Sequence, residues 1–221
     1  MSKSVSKSVT CPHCGSFAAA KMWTVANVSQ NPELRDKIMD ESLFDWRCPH
    51  CHGQAQLVSR CLYHDQNHRF MVFLIPGFSL PVLDDGGLEQ EFPEVAPVIK
   101  RVVPDLNHMK EKILILEAGA SDLAVELSKL AVAGLVEKKY GKPVVSAFFC
   151  KLDQASNQLG LSFYLAGETD PVLFETRAAV YTKSLEIVDE FAKDEKTSAR
   201  FLAIDSEWAG RVLGRYRGDG E

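Results

Sequence analysis

The sequence predicts an α+β chain: a small antiparallel β unit with a short inserted helix, then a larger mixed α/β unit. Three observations carry that prediction. Two Cys-Pro-His-Cys motifs sit near the start, with 33 residues between Cys14 and Cys48. A proline-rich acidic stretch follows at residues 76–104. Beyond it, apolar residues at helical spacing give way to apolar residues in alternation, and then to helical spacing again.

Residues 1–10 repeat Ser-Lys-Ser-Val and carry little apolar surface to bury, which predicts a flexible tail. Residues 11–75 make the first unit. Residues 17–28 read as extended, and Asn31, Pro32 and Glu33 then supply an N-cap, a first-turn proline and an acid suited to a helix N-terminus. A short helix through about Met39 follows, with Leu34 and Ile38 on one face. Residues 54–63 and 69–75 are strand candidates joined by the polar turn at 64–68. Half of the ten prolines (Pro76, Pro81, Pro93, Pro97 and Pro104) fall in residues 76–104 with Gly86, Gly87 and five acids, which predicts a linker or arm.

The second unit spans 105–221. Asp105 caps a helix whose Leu106, Met109, Ile113 and Leu116 share a face until Gly119 ends it. A second helix opens at Ser121 or Asp122 and closes at Tyr140-Gly141. Residues 144–152, 159–165 and 172–181 read as strands, the middle one alternating through Leu159, Leu161, Phe163 and Leu165. A helix with Leu185, Val188 and Phe191 on one side, a strand at 200–204 and a helical segment at 206–217 complete the chain.

Composition narrows the function classes. Apolar residues at 46% and charged residues at 25% are ordinary for a folded globular protein. A net charge of -5 opposes broad electrostatic binding to nucleic acid or anionic lipid. The most apolar stretch, residues 70–83, is broken by Pro76, Gly77 and Pro81 and is too short to span a bilayer. The lysines of the N-terminus are not followed by an apolar run, so no secretion signal is expected and a cytoplasmic location is.

Four of the six cysteines, Cys11, Cys14, Cys48 and Cys51, lie in the two paired motifs. In a reducing compartment, that pattern points to a metal rather than to disulfides, because each Cys-x-x-Cys turn offers two sulfurs at the separation a tetrahedral ion needs. The expectation is one structural zinc in a zinc-ribbon-like or rubredoxin-like unit at 11–75. Iron is the alternative, since four thiolates accept both metals. Gly15 after the first turn suits the positive φ required there. His52 stands where the second glycine belongs, with Gly53 one place on. His13 and His50 lie inside the turns and are expected outside the coordination sphere. Cys61 and Cys150 are expected to be inert core thiols.

These residues resemble the CpXC family, named for its two cysteine knuckles. The resemblance extends over Asn31-Pro32-Glu33-Leu34, Leu43-Phe44, Leu62-Tyr63-His64-Asp65 and Glu111-Lys112-Ile113, and His52 departs from the usual CPxCG ending. It implies a metal-binding domain and no particular reaction.

Three functions follow for testing. A protein-interaction module would use the stapled unit as a rigid surface, with Trp23, Trp46 or Trp208 as anchors, or would form a homo-oligomer. Nucleic-acid binding would use Lys21, Arg35, Lys37, Arg47 and Arg60 beside Phe17, Trp23, Phe44 and Trp46, in a segment whose basic excess is only two; Arg211, Arg215 and Arg217 form a second basic group. An enzyme ranks last: the second unit has no phosphate loop or nucleophile elbow and a single histidine, His108, leaving only carboxylates such as Asp153, Glu168 and Asp170. His64 beside Asp65 is the remaining proton-transfer candidate. Its bland reading is a hairpin turn, because adjacent strand residues face opposite ways.

Overall fold

The computed structural model describes residues 1–83, 98–153 and 155–218. Strand β1 (Lys3–Thr10) pairs antiparallel with β2 (Phe17–Asn27) along its whole length. The expected flexible tail is therefore a strand. Its side chains are nearly all exposed, so main-chain pairing orders it: the first cysteine turn sends the chain straight back alongside itself. Ser2 Oγ accepts from the Asn27 amide at 3.0 Å and pins the free end.

Helix α1 (Glu33–Met39) buries Leu34 and Ile38 as expected. Its N-cap is Pro32 without a side-chain cap, and the Asn31 amide donates instead to the Glu33 carboxylate at 3.4 Å. The single strand expected at 54–63 is two. Strand β4 (Gln54–Gln56) closes a small hairpin with β3 (Asp45–Arg47), and β5 (Cys61–Asp65) returns to the main sheet beside β6 (Phe70–Leu74).

The main sheet has seven strands in the order β1-β2-β5-β6-β8-β12-β7, where β7 is Val82–Leu83, β8 Ile99–Val103 and β12 Phe201–Leu202. Strand β8 runs parallel to β6 with Val72 beside Arg101, and parallel to β12 with Leu202 beside Arg101. Strand pairing thus joins segments that the sequence assigned to the tail, the first unit, the linker and the second unit, and residues read as the end of a linker form an inner strand. Residues 84–97 of that stretch lie outside the described residues, as does Asp219 near the C-terminus.

Helices α2 (Leu106–Glu117) and α3 (Asp122–Tyr140) start on the expected caps: the Asp105 carboxylate accepts from the His108 amide, and the Ser121 hydroxyl accepts from the Ala124 amide. Gly141, at φ 69°, ends α3. A three-stranded antiparallel sheet follows, with β10 (Gln158–Leu165) between β9 (Val144–Asp153) and β11 (Val172–Arg177). The third strand stops at Arg177 rather than Tyr181. Helix α4 (Ala179–Phe191) begins there and buries the Tyr181 ring, whose hydroxyl accepts from the Ser121 amide at 2.8 Å. Helix α5 (Ser206–Arg217) closes the chain and buries Trp208.

Three apolar clusters result. One packs α1 and α2 on one face of the large sheet through Leu34, Ile38, Tyr63, Phe70, Val72, Met109 and Ile113. A smaller one, around Val25, Leu62, Met71 and Phe201, covers the other face. The third packs α3, α4 and α5 on β10.

A chain of buried charges ties the layers together. Arg101 on β8 makes two bonds to Asp122, at 2.6 and 3.0 Å. Lys112 reaches Glu126 at 3.1 Å, and Lys129 bridges Glu126 at 2.8 Å and Glu111 at 3.0 Å. The Glu111 carboxylate then accepts from the Phe149 amide of β9 at 2.6 Å. Three cations face three carboxylates, so the interior holds no net charge there.

Candidate metal centre

Each cysteine motif is the tip of a hairpin: the first joins β1 to β2, the second joins β3 to β4. The turns are built alike. Cys11 N–H donates to the Ser16 carbonyl and Gly15 N–H to the Cys11 carbonyl, both at 2.9 Å; Cys48 N–H donates to the Gly53 carbonyl at 2.9 Å and His52 N–H to the Cys48 carbonyl at 3.0 Å. Gly15 sits at φ 71° and His52 at φ 60°, so histidine adopts the left-handed conformation that the missing glycine would have taken.

The histidines inside the turns cross between the hairpins. His13 Nε2 donates to the Gln54 carbonyl at 2.8 Å, and His50 Nε2 donates to the Phe17 carbonyl at 3.3 Å. Phe17 and Gln54 occupy the same place after their respective turns, so the two bonds are reciprocal and relate the hairpins by an approximate two-fold. Gly53 has a different purpose from the one its position suggested: a Cβ there would lie 2.5 Å from His13 Cδ2. Glycine makes room for the crossing ring.

This arrangement brings the four sulfurs of Cys11, Cys14, Cys48 and Cys51 within 4.8 Å of one another. Across the hairpins, Cys11 Sγ is 3.6 Å from Cys51 Sγ, and Cys14 Sγ is 3.8 Å from Cys48 Sγ. Zinc–sulfur bonds of about 2.3 Å in a tetrahedron set sulfurs about 3.8 Å apart, so the donors fit a single ion by type, number and spacing. Cys11 and Cys48 are buried, whereas Cys14 and Cys51 are exposed. The Ser16 hydroxyl and amide draw the Cys14 thiol down to about 6. The Gly53 amide pulls Cys51 the same way, but burial and the three neighbouring sulfurs outweigh it and push Cys51 up to about 12. Four sulfurs this close resist ionising together, and a divalent cation removes that penalty.

The other candidates fall elsewhere. Cys61 is buried in β5, where desolvation pushes its thiol up to about 12. Cys150 is exposed, against expectation. The ladder pairs Gly160 with Lys151 and Leu161 with Phe149, and the extra residue, Cys150, bulges outward.

His64 and Asp65 do not pair. Tyr63 and Asp65 face one side of the sheet and His64 the other, and burial pushes the His64 imidazole below its ordinary value. Asp65 instead accepts from His68 Nδ1 at 2.7 Å and from the His68 amide at 3.0 Å. Sequence reading missed this pairing; the Asp-x-x-His spacing is the signal that could have found it. Beside it, Glu117 accepts from Arg35 at 2.6 and 2.8 Å and from the Tyr63 hydroxyl at 3.1 Å, tying α1, α2 and β5 at a shallow cleft. Of the basic set read from the sequence, Arg35 is therefore committed to a carboxylate. Trp208 is buried, Trp46 donates to the Ala19 carbonyl at 3.3 Å, and Lys21 lies 4.4 Å over Trp23.

An α+β scaffold that presents four thiols from two matched Cys-x-x-Cys hairpins defines a protein with a four-cysteine cluster compatible with metal binding. A family model described as CpXC protein matches residues 9–129, from the first knuckle into α3. The chain belongs to the CpXC family. No curated protein matches it, and no solved structure does. Among the described residues, no helix is long and apolar enough to cross a membrane.

Proposed function

We propose that this chain is a structural zinc protein whose stapled hairpins serve as a protein-interaction module in the reducing cytoplasm. The observation that carries the reading is the four-sulfur cluster, with all donors within 4.8 Å and contacts of 3.6 and 3.8 Å across the hairpins. Two hairpins with matched turns support a zinc-ribbon-like reading of this end of the molecule. Four thiolates close the coordination sphere, so the ion acts as a staple and leaves no position for a reactive water. The interaction half rests on the surface beside the staple: Phe17 is 73% exposed next to the first turn, and the whole of β1 lies at the rim of the sheet. The nucleic-acid reading loses ground because Arg35, one of the five residues of its basic set, is spent on Glu117.

Elemental analysis of protein purified from its own cells tests the metal, with one zinc per chain expected. One iron per chain with visible thiolate absorbance overturns zinc, and metal-free protein overturns the staple. Cross-linking mass spectrometry of the affinity-purified protein tests the module. Cross-links from the knuckle ends to a protein partner are expected; cross-links or footprints to nucleic acid alone sink it.

A further inference from the structure

The third apolar cluster is not closed on every side. Helix α3, the first residues of β9 and the start of α5 leave a cavity of about 500 Å³ between them, within the size range of pockets that take small molecules. Leu130, Ala133, Val144 and Ala147 supply its apolar wall. On α3, Glu126, Leu130, Ala133 and Glu137 recur at i, i+4, i+7 and i+11, so one stripe of the helix faces the space. Gly134 borders that stripe. Glycine inside a helix weakens it relative to alanine, yet a Cβ at Gly134 would meet nothing within 4 Å. Packing therefore does not require glycine there, and its missing side chain leaves the wall of the cavity open.

The charges on the lining decide what the cavity accepts. Lys129 and Glu126 are both buried and belong to the balanced chain of three cations and three carboxylates. Lys129 Nζ lies 3.0 and 3.2 Å from the two Glu111 oxygens and 2.8 Å from Glu126 Oε1, so its charge is already met. Glu126 Oε1 also accepts from Lys112 at 3.1 Å, whereas its Oε2 accepts no hydrogen bond from the described residues. Two further acids line the cavity, Glu137 and Asp205. Each accepts a backbone amide through one oxygen, from Val144 at 2.9 Å and from Trp208 at 2.8 Å, and among the described residues neither is ion-paired. His108, the remaining titratable group, is engaged by Asp105 through Nδ1 at 2.9 Å. The lining thus holds two uncompensated carboxylates and no uncompensated cation.

We propose that this cavity binds a small organic amine, with its ammonium taken up by Glu137 and Asp205, Glu126 Oε2 as a further acceptor, and its apolar body against Leu130, Ala133, Val144 and Ala147. An anion is disfavoured, because it would have to draw Lys129 from two carboxylates while facing Glu137 and Asp205. The site is independent of the cysteine cluster and of the interaction-module reading, which stand or fall on other measurements.

Isothermal titration calorimetry on the full-length metal-loaded protein tests it, with phenethylamine and hexylamine as probes. Phenethyl alcohol and phenylpropionate are controls of similar shape with a neutral and a negative head. At least one amine is expected to bind one-to-one, about tenfold or more tightly than the alcohol, and phenylpropionate is expected not to bind. The Glu137→Gln/Asp205→Asn protein keeps acceptors for both backbone amides and should lose the preference for amine over alcohol. Gly134→Leu puts a side chain into the open wall and a better helix former into α3; it should weaken amine binding about tenfold or more without lowering the melting temperature. Equal affinity for alcohol and amine, or tighter binding of the carboxylate, overturns the proposal. So does amine binding that neither variant changes, or the absence of amine binding by folded protein with full metal content.

Discussion

His13 and Gly53 are 40 positions apart in sequence, yet each is explained by the other. The His13 ring crosses between hairpins to reach the Gln54 carbonyl, and Gly53 is the residue whose missing Cβ lets it pass. Replacing Gly53 with alanine forces a methyl to within 2.5 Å of His13 Cδ2 unless the ring moves. We expect Gly53→Ala to cost about 1–3 kcal/mol as overpacking. His13→Ala should cost about 1 kcal/mol as a lost hydrogen bond. In the double variant the ring is gone and the methyl has room, so the two losses should sum to less than their parts. Urea unfolding of the four zinc-loaded proteins measures the cycle. Strict additivity would mean that the two residues are not coupled. His52 is the neighbouring case in which a residue's identity was legible in advance, since histidine is among the few side chains that tolerate the φ of 60° found there.

At the scale of elements, the buried charges decide how β8, α2, α3 and β9 stack. Burial alone would push the Asp122 carboxyl up, but Arg101 and Lys112 outweigh it and hold it at about 2, against an ordinary value of 3.8. A depressed folded value stabilises the fold fully above the unfolded pKa, and that stabilisation disappears as pH falls through about 2. The stake is about 2 kcal/mol between pH 4 and pH 2. Asp122→Asn should flatten that acid limb and, by stranding Arg101 in the interior, cost about 3–5 kcal/mol at neutral pH. Unfolding free energies measured across pH 2–7 check both. An acid limb that survives the substitution would assign it to other carboxylates. The same charges show why sequence reading stopped where it did. Helices α2 and α3 announced themselves through Asp105, Ser121 and Gly141, whose roles are local. Strand β8 carries Lys100 and Arg101 at the end of a proline-rich acidic stretch, and nothing local reveals that Arg101 is wholly buried against a carboxylate 21 residues later. The cysteine cluster was legible because paired short turns fix their own geometry. The reciprocal histidine bonds were not, since they depend on how two hairpins meet.

The whole molecule differs from a minimal zinc finger in one respect that governs what metal removal should do. A finger has no core without its ion and unfolds when stripped. Here three buried apolar clusters hold β2, β5, β6 and β8 and the five helices of the described residues, whereas β3, β4 and the two cysteine turns contribute little to them. An ion held by the four sulfurs would join two hairpin tips that contribute little to the packed body. Chelation is therefore expected to loosen the tips and leave the body folded. Hydrogen exchange should rise sharply over residues 9–20 and 45–58, where His13 and His50 lose their fixed partners, while amides of α3 and β10 keep their protection. Far-UV circular dichroism should change by only a small fraction, and cooperative melting of the remainder should persist. If chelation instead collapses the spectrum in one transition, the staple lies inside the cooperative unit and the body cannot stand without it. If exchange at the tips stays flat, the four sulfurs hold no ion that matters to the fold, and the reciprocal histidine bonds alone keep the hairpins together.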